Sequence, residues 1–166
     1  MNKFYIALAA AVVGIAALPL AAKAAETTAS ASATIVTPLT ITKNSDLSFG
    51  SLSPSAIAGT VTMTVGGTRT GDANVELIPG GTITAAEFAV AGEGTATFSS
   101  TIDSTATLNG SGTAAGNTMT TTLVNNAPSG LTAGAATINV GGVLAVGVNQ
   151  VAGPYSGTFN VTVAYN

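Results

Sequence analysis

The last residues of the chain alternate strictly between two kinds of position. One set holds the apolar and aromatic residues: Tyr155, Gly157, Phe159, Val161, Val163 and Tyr165. The positions between them are polar, with Ala164 as the exception. Because successive side chains of a strand point to opposite faces, the pattern predicts one half-buried β-strand that runs to the C-terminus. Such a strand needs a pairing partner, and the nature of that partner decides what the protein does.

Shorter stretches of the same alternation follow one another along the rest of the chain. The first covers Ala29–Ile41 and a later one Met119–Leu123, and turn-forming Gly, Pro and Asn separate them. Ile138–Val148 is predicted to be a hairpin that turns at its central pair of glycines. No stretch shows the 3.6-residue period of an amphipathic helix. About eight to ten short strands indicate an all-β fold, and the preferred arrangement is an antiparallel immunoglobulin-like β-sandwich.

The N-terminus has the parts of a secretory signal peptide. Lys3 precedes the uncharged apolar run Phe4–Leu20, and Ala22–Ala24 fits the small-residue rule for cleavage. The apolar run is at the lower length limit for a membrane span, and the polar stretch after it favours cleavage over anchoring. The predicted order is a cleaved signal-peptide helix, a short N-terminal extension and a single β-sandwich domain, over 1–24, 25–34 and 35–166.

Charged residues are scarce after the predicted cleavage site. Lys43 and Arg69 are the basic residues there, against seven acids. A surface with so few cations cannot neutralise a phosphate backbone, which excludes nucleic acid as a partner and disfavours binding to anionic lipid. We expect no stable membrane insertion once the signal peptide is removed. Low charge combined with high β-propensity suits a chain that ends in a solid-like assembly.

The side chains that most enzymes use for chemistry are missing. The chain has no His and no Cys, which removes the commonest general base, thiolate chemistry and transition-metal ligation. The acids stand singly; Asp72 and Glu76 have a loosely calcium-like spacing but lack an Asp-x-Asp core. The sequence therefore predicts a non-enzymatic protein with no catalytic, cofactor-binding or metal site.

Four blocks of sequence resemble a family of small secreted bacterial domains of unassigned function, the DUF4402 family. They are Ile35–Ile41, Leu47–Gly50, Ile138–Leu144 and Asn149–Tyr165, and the last block is the most specific. Together they span nearly the whole chain after the predicted signal peptide. The resemblance implies a secreted domain of this family and supplies no activity.

The C-terminal block is also similar to the subunits of chaperone–usher pili, including the spore-coat-U-like group. Those subunits end in an alternating strand with a penultimate tyrosine and a glycine fourteen positions from the end, which Tyr165 and Gly153 match here. In that family the sandwich lacks its final strand, and a chaperone and then a neighbour's N-terminal extension fill the groove beside the terminal strand. Main-chain hydrogen bonds provide the affinity of such strand addition, and alternating pockets set its register.

This second resemblance implies a structural subunit of a bacterial cell-surface filament or fimbria, assembled by β-strand exchange in a pilin-like sandwich. The assembly strand would comprise Gly153, Tyr155, Phe159, Val161, Val163 and Tyr165. The candidate donor segment would present Ala29, Ala31, Ala33 and Ile35. The implied partners are further copies of the chain in a homo-oligomer or filament, with a periplasmic chaperone and an usher. The implied route is export through the inner membrane to the periplasm, then to the cell surface or the medium.

A second interpretation remains open, in which the domain is a self-contained secreted module for adhesion or glycan binding. Each donor alanine buries about one CH2 unit, worth ~0.8 kcal/mol, whereas a buried Val or Ile contributes roughly 1.5–3 kcal/mol. The chain also lacks the disulfide that many pilus subunits carry. In this interpretation the terminal strand lies inside its own sheet, and the turns rich in Thr, Asn and Ser hydrogen-bond the glycan.

Overall fold

The structure is a computed structural model that describes residues 23–166. The predicted signal-peptide helix falls almost entirely on 1–22, outside the described residues. Residues 23–34 are exposed and form no strand, and Ile35–Asn166 forms a compact unit. In the part of the chain that the structure describes, no helix has the length and apolar character needed to cross a membrane.

The compact unit is all-β, as predicted, and its strands pair in an antiparallel manner. In chain order the strands are β1 (Thr40–Ser45), β2 (Ser48–Phe49), β3 (Leu52–Pro54), β4 (Gly59–Met63), β5 (Arg69–Gly71), β6 (Val75–Leu77), β7 (Ile83–Thr84), β8 (Ala86–Ala91), β9 (Phe98–Ile102), β10 (Thr105–Gly110), β11 (Thr118–Asn125), β12 (Ala135–Val146), β13 (Tyr155–Ser156) and β14 (Val161–Tyr165). A short 3-10 helix, Gly112–Ala114, lies between β10 and β11.

Eight of the strands form one sheet that curls into a half-barrel. The order of six of its strands is β1-β8-β12-β11-β10-β13. The other two strands branch from β12: β4 pairs with the second half of β12, and β5 pairs with β4. The remaining strands form the pairs β14–β9, β2–β7 and β3–β6. The terminal strands β13 and β14 therefore belong to different sheets.

The first strand begins later than the alternation predicts. The pattern starts at Ala29, yet β1 starts at Thr40. Pro38 has no N–H to give to a ladder, and the N–H of Thr37 donates to the Glu93 carboxylate at 3.0 Å. Because of these two residues, the segment before β1 does not pair as a strand.

The predicted hairpin at Ile138–Val148 is wrong, because β12 runs through it without a turn. Its central residues, Gly141 and Gly142, lie where the neighbouring strand changes from β8 to β4. A Cβ on Gly141 would collide with the Met63 carbonyl, and one on Gly142 would lie 2.7 Å from Thr121 Oγ1. The glycines are therefore required for close approach of backbones within the sheet rather than for a turn.

Two apolar clusters fill the interior of the compact unit. The first, around Phe98 and Ile138, lies beneath β8, β9 and the start of β12, and β14 packs against it. The second, around Met63 and Leu144, lies beneath β4 and the end of β12. Leu47 packs against both clusters, so the interior is continuous. Burial of each side chain of this size stabilises the folded state by roughly 1.5–3 kcal/mol. This packing stabilises the fold without disulfides.

Candidate functional site

The terminal segment forms two strands rather than the one continuous strand that the sequence predicts. β13 pairs with β10, whereas β14 pairs with β9. Gly157 lies between the two strands, and a Cβ at this residue would collide with the Thr107 carbonyl. The two halves thus pair with β10 and β9 in turn.

The predicted alternation of burial along this segment is confirmed. Phe159, Val161, Val163 and Tyr165 are half-buried, and all four pack against the first apolar cluster. The residues between them are exposed, including Ala164. The Phe159 ring meets the Phe88 ring edge to face, with centroids 6.2 Å apart and planes at 76°. β14 is therefore docked on the domain's own core.

Gly153 and Tyr155, which the sequence analysis groups with the assembly strand, lie away from β14. Gly153 is in the exposed loop before β13, where a Cβ would come within 2.8 Å of the Ala114 Cβ. The Tyr155 hydroxyl donates to the Val151 carbonyl and accepts from the Gln150 amide, both at 2.8 Å. Both residues thus lie in or just before β13, which pairs with β10, rather than in β14.

β14 is hydrogen-bonded along one edge. Within residues 23–166 its ladder partner is β9 alone. Just before β14, the N–H of Asp103 donates to the Asn160 carbonyl at 3.2 Å. Just after it, the N–H of Asn166 donates to the Thr97 carbonyl at 3.3 Å. These two bonds fix which residues of β14 face β9.

Hydrogen-bonding direction alternates along an antiparallel strand, so the even-numbered residues point their backbone groups toward β9. Val161, Val163 and Tyr165 therefore point their N–H and C=O groups away from it. We call these three residues the free edge of β14. No strand of the described chain pairs with this edge.

The free edge lacks the features that usually protect an edge strand. Residues 155–166 contain no charged residue and no proline. Its neighbour β1, which is also an edge strand and has Cα atoms within 8 Å of β14, carries Lys43 and an irregularity between Lys43 and Ser45. Natural proteins use such charges and bulges to prevent unwanted strand pairing. β14 has neither of these devices along residues 161–165.

A hydrogen-bonded triad holds the end of β14. The Tyr165 hydroxyl donates to the Thr37 carbonyl at 2.8 Å and accepts from the Glu93 N–H at 2.6 Å. The Glu93 carboxylate accepts from the Thr37 N–H at 3.0 Å, and this bond lowers the pKa of Glu93. Gly92 leaves room for the phenol, since a Cβ there would collide with the hydroxyl. We call Tyr165, Thr37 and Glu93 the Tyr165 clasp; it fixes Thr37 at the end of β14.

The β13 half of the terminal segment borders a cleft of about 520 Å³. One wall is residues 47–54, which include β2 and β3, and the other is residues 150–155. In the described chain, β2, β3 and β13 each pair along one edge. Leu108, Met119 and Leu144 also line the cleft, and all the lining residues are uncharged. The cleft is thus an uncharged space between two strand edges, and its lining contains both polar and apolar side chains.

The predicted donor residues are exposed and belong to no strand. Ala29, Ala31 and Ala33 are exposed to solvent. Ile35 is 97% exposed and its neighbour Val36 is 51% exposed. Two β-branched apolar residues therefore stand in solvent immediately before the Tyr165 clasp.

The acidic side chains serve local structure. Both oxygens of Asp72 accept backbone hydrogen bonds, from Asn74 at 2.9 Å and Thr60 at 2.6 Å, and the bond from Asn74 is the main cause of its lowered pKa. Among residues 23–166, no group of three or more acids could hold a metal ion. The Asp72 carboxylate therefore stabilises the turn before β6.

Sequence reasoning did not identify Thr37, Glu93 or Gly92 as part of the site. Thr37 lies 56 residues from Glu93 and 128 residues from Tyr165 along the chain. The one local signal was the apolar Leu39, which packs on the same cluster as β14. The clasp depends on long-range pairing that no local pattern reveals.

The geometry defines an all-β domain whose terminal strand has an unpaired, uncharged edge. The chain belongs to the family described as a domain of unknown function (DUF4402), which matches residues 39–165. The match begins beside the Tyr165 clasp and ends at Tyr165 itself. It confirms the predicted family, whose description gives no activity. No curated protein and no solved structure matches the chain.

Proposed function

We propose that this protein is a non-enzymatic structural subunit of a bacterial cell-surface filament or fimbria that assembles by β-strand exchange. The observation that carries the proposal is the free edge of β14, which is unpaired within the described chain and unprotected by charge. An extended segment from another copy adds to this edge through main-chain hydrogen bonds. The complete form is an immunoglobulin-like, pilin-like sandwich in which the donated strand supplies the missing element.

The side-chain pattern of β14 supports strand addition. Val161, Val163 and Tyr165 turn their side chains toward the first cluster while their backbone groups face outward. A donor strand with the same alternation gains hydrogen bonds at the edge and places its own apolar residues over the cluster. Ala29, Ala31, Ala33 and Ile35 have that alternation and are exposed.

The neighbouring strand β1 sets a condition on this addition. Cα atoms of β1 and β14 lie within 8 Å of each other. An inserted strand needs two ladder spacings, about 9.6 Å, between its neighbours. β1 therefore has to move outward before the donor enters, and we propose that a periplasmic chaperone holds this gap open until an usher adds the next subunit. This route requires export through the inner membrane, as the predicted signal peptide implies.

The decisive experiment is deletion of residues 25–34 from the exported chain. We expect the intact chain to form multimers that resist mild detergent, and the deleted chain to remain a folded monomer with unchanged circular dichroism. Light scattering after size-exclusion chromatography measures both. Fibres formed by the deleted chain would show that this segment is not the donor.

A self-contained adhesive or glycan-binding domain is the second candidate. It is favoured by the docking of Phe159, Val161 and Val163 on the domain's own core, which gives the monomer a closed interior. In that case we expect the intact exported chain to be a stable monomer without any chaperone, in the same light-scattering measurement.

A further inference from the structure

A second cavity, of about 340 Å³, opens where β1, β8 and β12 lie side by side. We call it the Glu87 pocket, after the carboxylate on its floor. We infer that this pocket binds one residue of a neutral saccharide through Glu87 and Asn139. The inference does not depend on strand exchange, since it needs only the folded domain of one copy. It holds for a filament subunit and for a self-contained domain alike.

Three polar side chains form a row across the floor of the Glu87 pocket. Ser45 on β1 and Asn139 on β12 both pair directly with Glu87 on β8. Directly paired residues point to the same face of a sheet, with their Cβ atoms about 4.5–5.5 Å apart. The residues on either side of Glu87, Ala86 and Phe88, lie in or against the first apolar cluster, so the row occupies the opposite, outer face. A carboxylate and an amide therefore stand side by side in the pocket.

These two groups are only partly used within the domain. The Asn44 amide donates to Oε1 of Glu87 at 2.8 Å, which fixes the carboxylate and leaves its other oxygen without a partner among residues 23–166. Asn139 is held through its backbone N–H, which donates to Asn126 Oδ1 at 2.9 Å. Within the same residues its side-chain amide makes no hydrogen bond. A positioned acceptor thus lies next to an unused donor.

This pair of groups fits a hydroxyl better than a charged ligand. A hydroxyl both donates and accepts, so it can donate to the Glu87 carboxylate and accept from the Asn139 amide. Glu87 is the one charged residue that lines the pocket, so an anion would be repelled. A calcium ion needs about six to eight oxygen ligands, and no group of three acids in residues 23–166 could hold a metal ion. The ligand is therefore neutral and rich in hydroxyls.

Two aliphatic side chains provide a wall for the apolar face of a sugar ring. Val65, in the turn between β4 and β5, and Ile83 on β7 both line the pocket. Ile83 is 37% exposed, so a ring that covers its side chain removes apolar surface from water. The rim includes Gly67, where even a Cβ would meet nothing within 4 Å, so a ligand can approach the turn. The volume is near the lower end of ligand sites, roughly 300–1,000 Å³, and suits a single sugar residue.

The rest of a saccharide chain can leave the pocket along the outer face of the sheet. The next row of paired residues on this face is Thr42, Ala89 and Thr137. Both threonines are exposed, and the alanine between them leaves space for a second ring. Each row lies roughly 6.6 Å from the one before it along a strand. A disaccharide should therefore bind more tightly than a single sugar residue.

Saturation-transfer NMR on the intact exported chain tests the site. The probes are the methyl glycosides of glucose, galactose, mannose and N-acetylglucosamine. Glu87→Ala removes the acceptor and Asn139→Ala removes the amide, and both residues lie outside the two apolar clusters. The matched controls are Glu76→Ala and Asn109→Ala, at exposed residues of β6 and β10 that do not line the pocket. Circular dichroism shows whether each variant is folded.

We expect at least one of these glycosides to bind the intact chain. Glu87→Ala should weaken binding at least about tenfold, the loss expected for a hydrogen bond to a charged group, and Asn139→Ala at least about threefold. The controls should leave it unchanged, and the anionic methyl glycoside of N-acetylneuraminic acid should bind more weakly than the neutral probe.

No binding of any neutral probe would overturn the inference, as would binding that survives both pocket variants or that favours the anionic glycoside. Saturation transfer is measured for monomers and multimers alike, so none of these results bears on filament assembly. A chain that binds a glycoside and stays monomeric would contradict the proposed assembly and leave the Glu87 pocket as the saccharide site.

Discussion

At the residue scale, two polar side chains decide where the N-terminal extension leaves the domain. The Tyr165 hydroxyl and the Glu93 carboxylate bind the carbonyl and the N–H of the same residue, Thr37. Pro38, which follows, has no N–H that would need a partner. The backbone of the extension is therefore anchored at one point and exposed before it, as a donor segment requires.

The anchor should weaken in acid. The hydrogen bond from the Thr37 N–H lowers the pKa of Glu93 below its ordinary value of 4.5, so the folded state prefers the ionised carboxylate. Its stabilising effect is present above the unfolded pKa and is lost as the pH falls through the folded pKa. We expect the Thr37 amide shift to titrate with a midpoint below 4.5 in an NMR pH series.

Two variants separate the effect of the Glu93 carboxylate on Thr37 from that of the neighbouring Tyr165 hydroxyl. Glu93→Gln should abolish the titration of the Thr37 amide. Tyr165→Phe removes the neighbouring hydroxyl but keeps the carboxylate, so the low midpoint should remain. A midpoint at or above 4.5 in the unmodified protein would mean that the carboxylate does not hold Thr37 in solution.

At the element scale, β12 shows what a local pattern cannot predict. A glycine pair between apolar stretches is typical of a turn, yet Gly141 and Gly142 lie inside the longest strand. They are needed because β12 changes neighbours there, from β8 to β4, and those pairings join residues between 44 and 87 positions apart. The glycines can be read from the sequence, but the strand pairings that require them cannot.

Substitution of these glycines should therefore disturb packing rather than a turn. Gly142→Ala places a Cβ 2.7 Å from Thr121 Oγ1 and 2.9 Å from the Thr122 carbonyl, and overpacking of this kind costs about 1–3 kcal/mol. Gly66→Ala is the control, because its nearest contact is Thr64 Oγ1 at 3.8 Å. We expect a change of less than about 0.5 kcal/mol for the control in urea unfolding. Equal losses for the two variants would contradict the strand assignment.

The terminal segment was predicted better than β12, since period-2 burial from Phe159 to Tyr165 depends on local alternation alone. The division of this segment into β13 and β14 was not predicted, because it depends on pairing with β10 and β9. For the same reason the sequence could identify the half-buried face of β14 but not the state of its edge.

At the scale of the whole molecule, the free edge and the uncharged cleft lie along one segment of the chain, which contains β13 and β14. The exposed extension begins at the opposite end of that segment from the cleft, at the Tyr165 clasp. The family match covers residues 39–165 and does not include the proposed donor residues, which end at Ile35.

Amide hydrogen exchange on β14 tests the central claim most directly. In the monomer lacking residues 25–34, the N–H groups of Val161, Val163 and Tyr165 should exchange quickly, while those of Thr162 and Ala164, which face β9, should be protected. Adding a peptide of residues 25–36 should slow exchange at the three free-edge amides by at least tenfold and leave the other two unchanged. Protection of all five amides in the monomer, with no response to the peptide, would contradict the account.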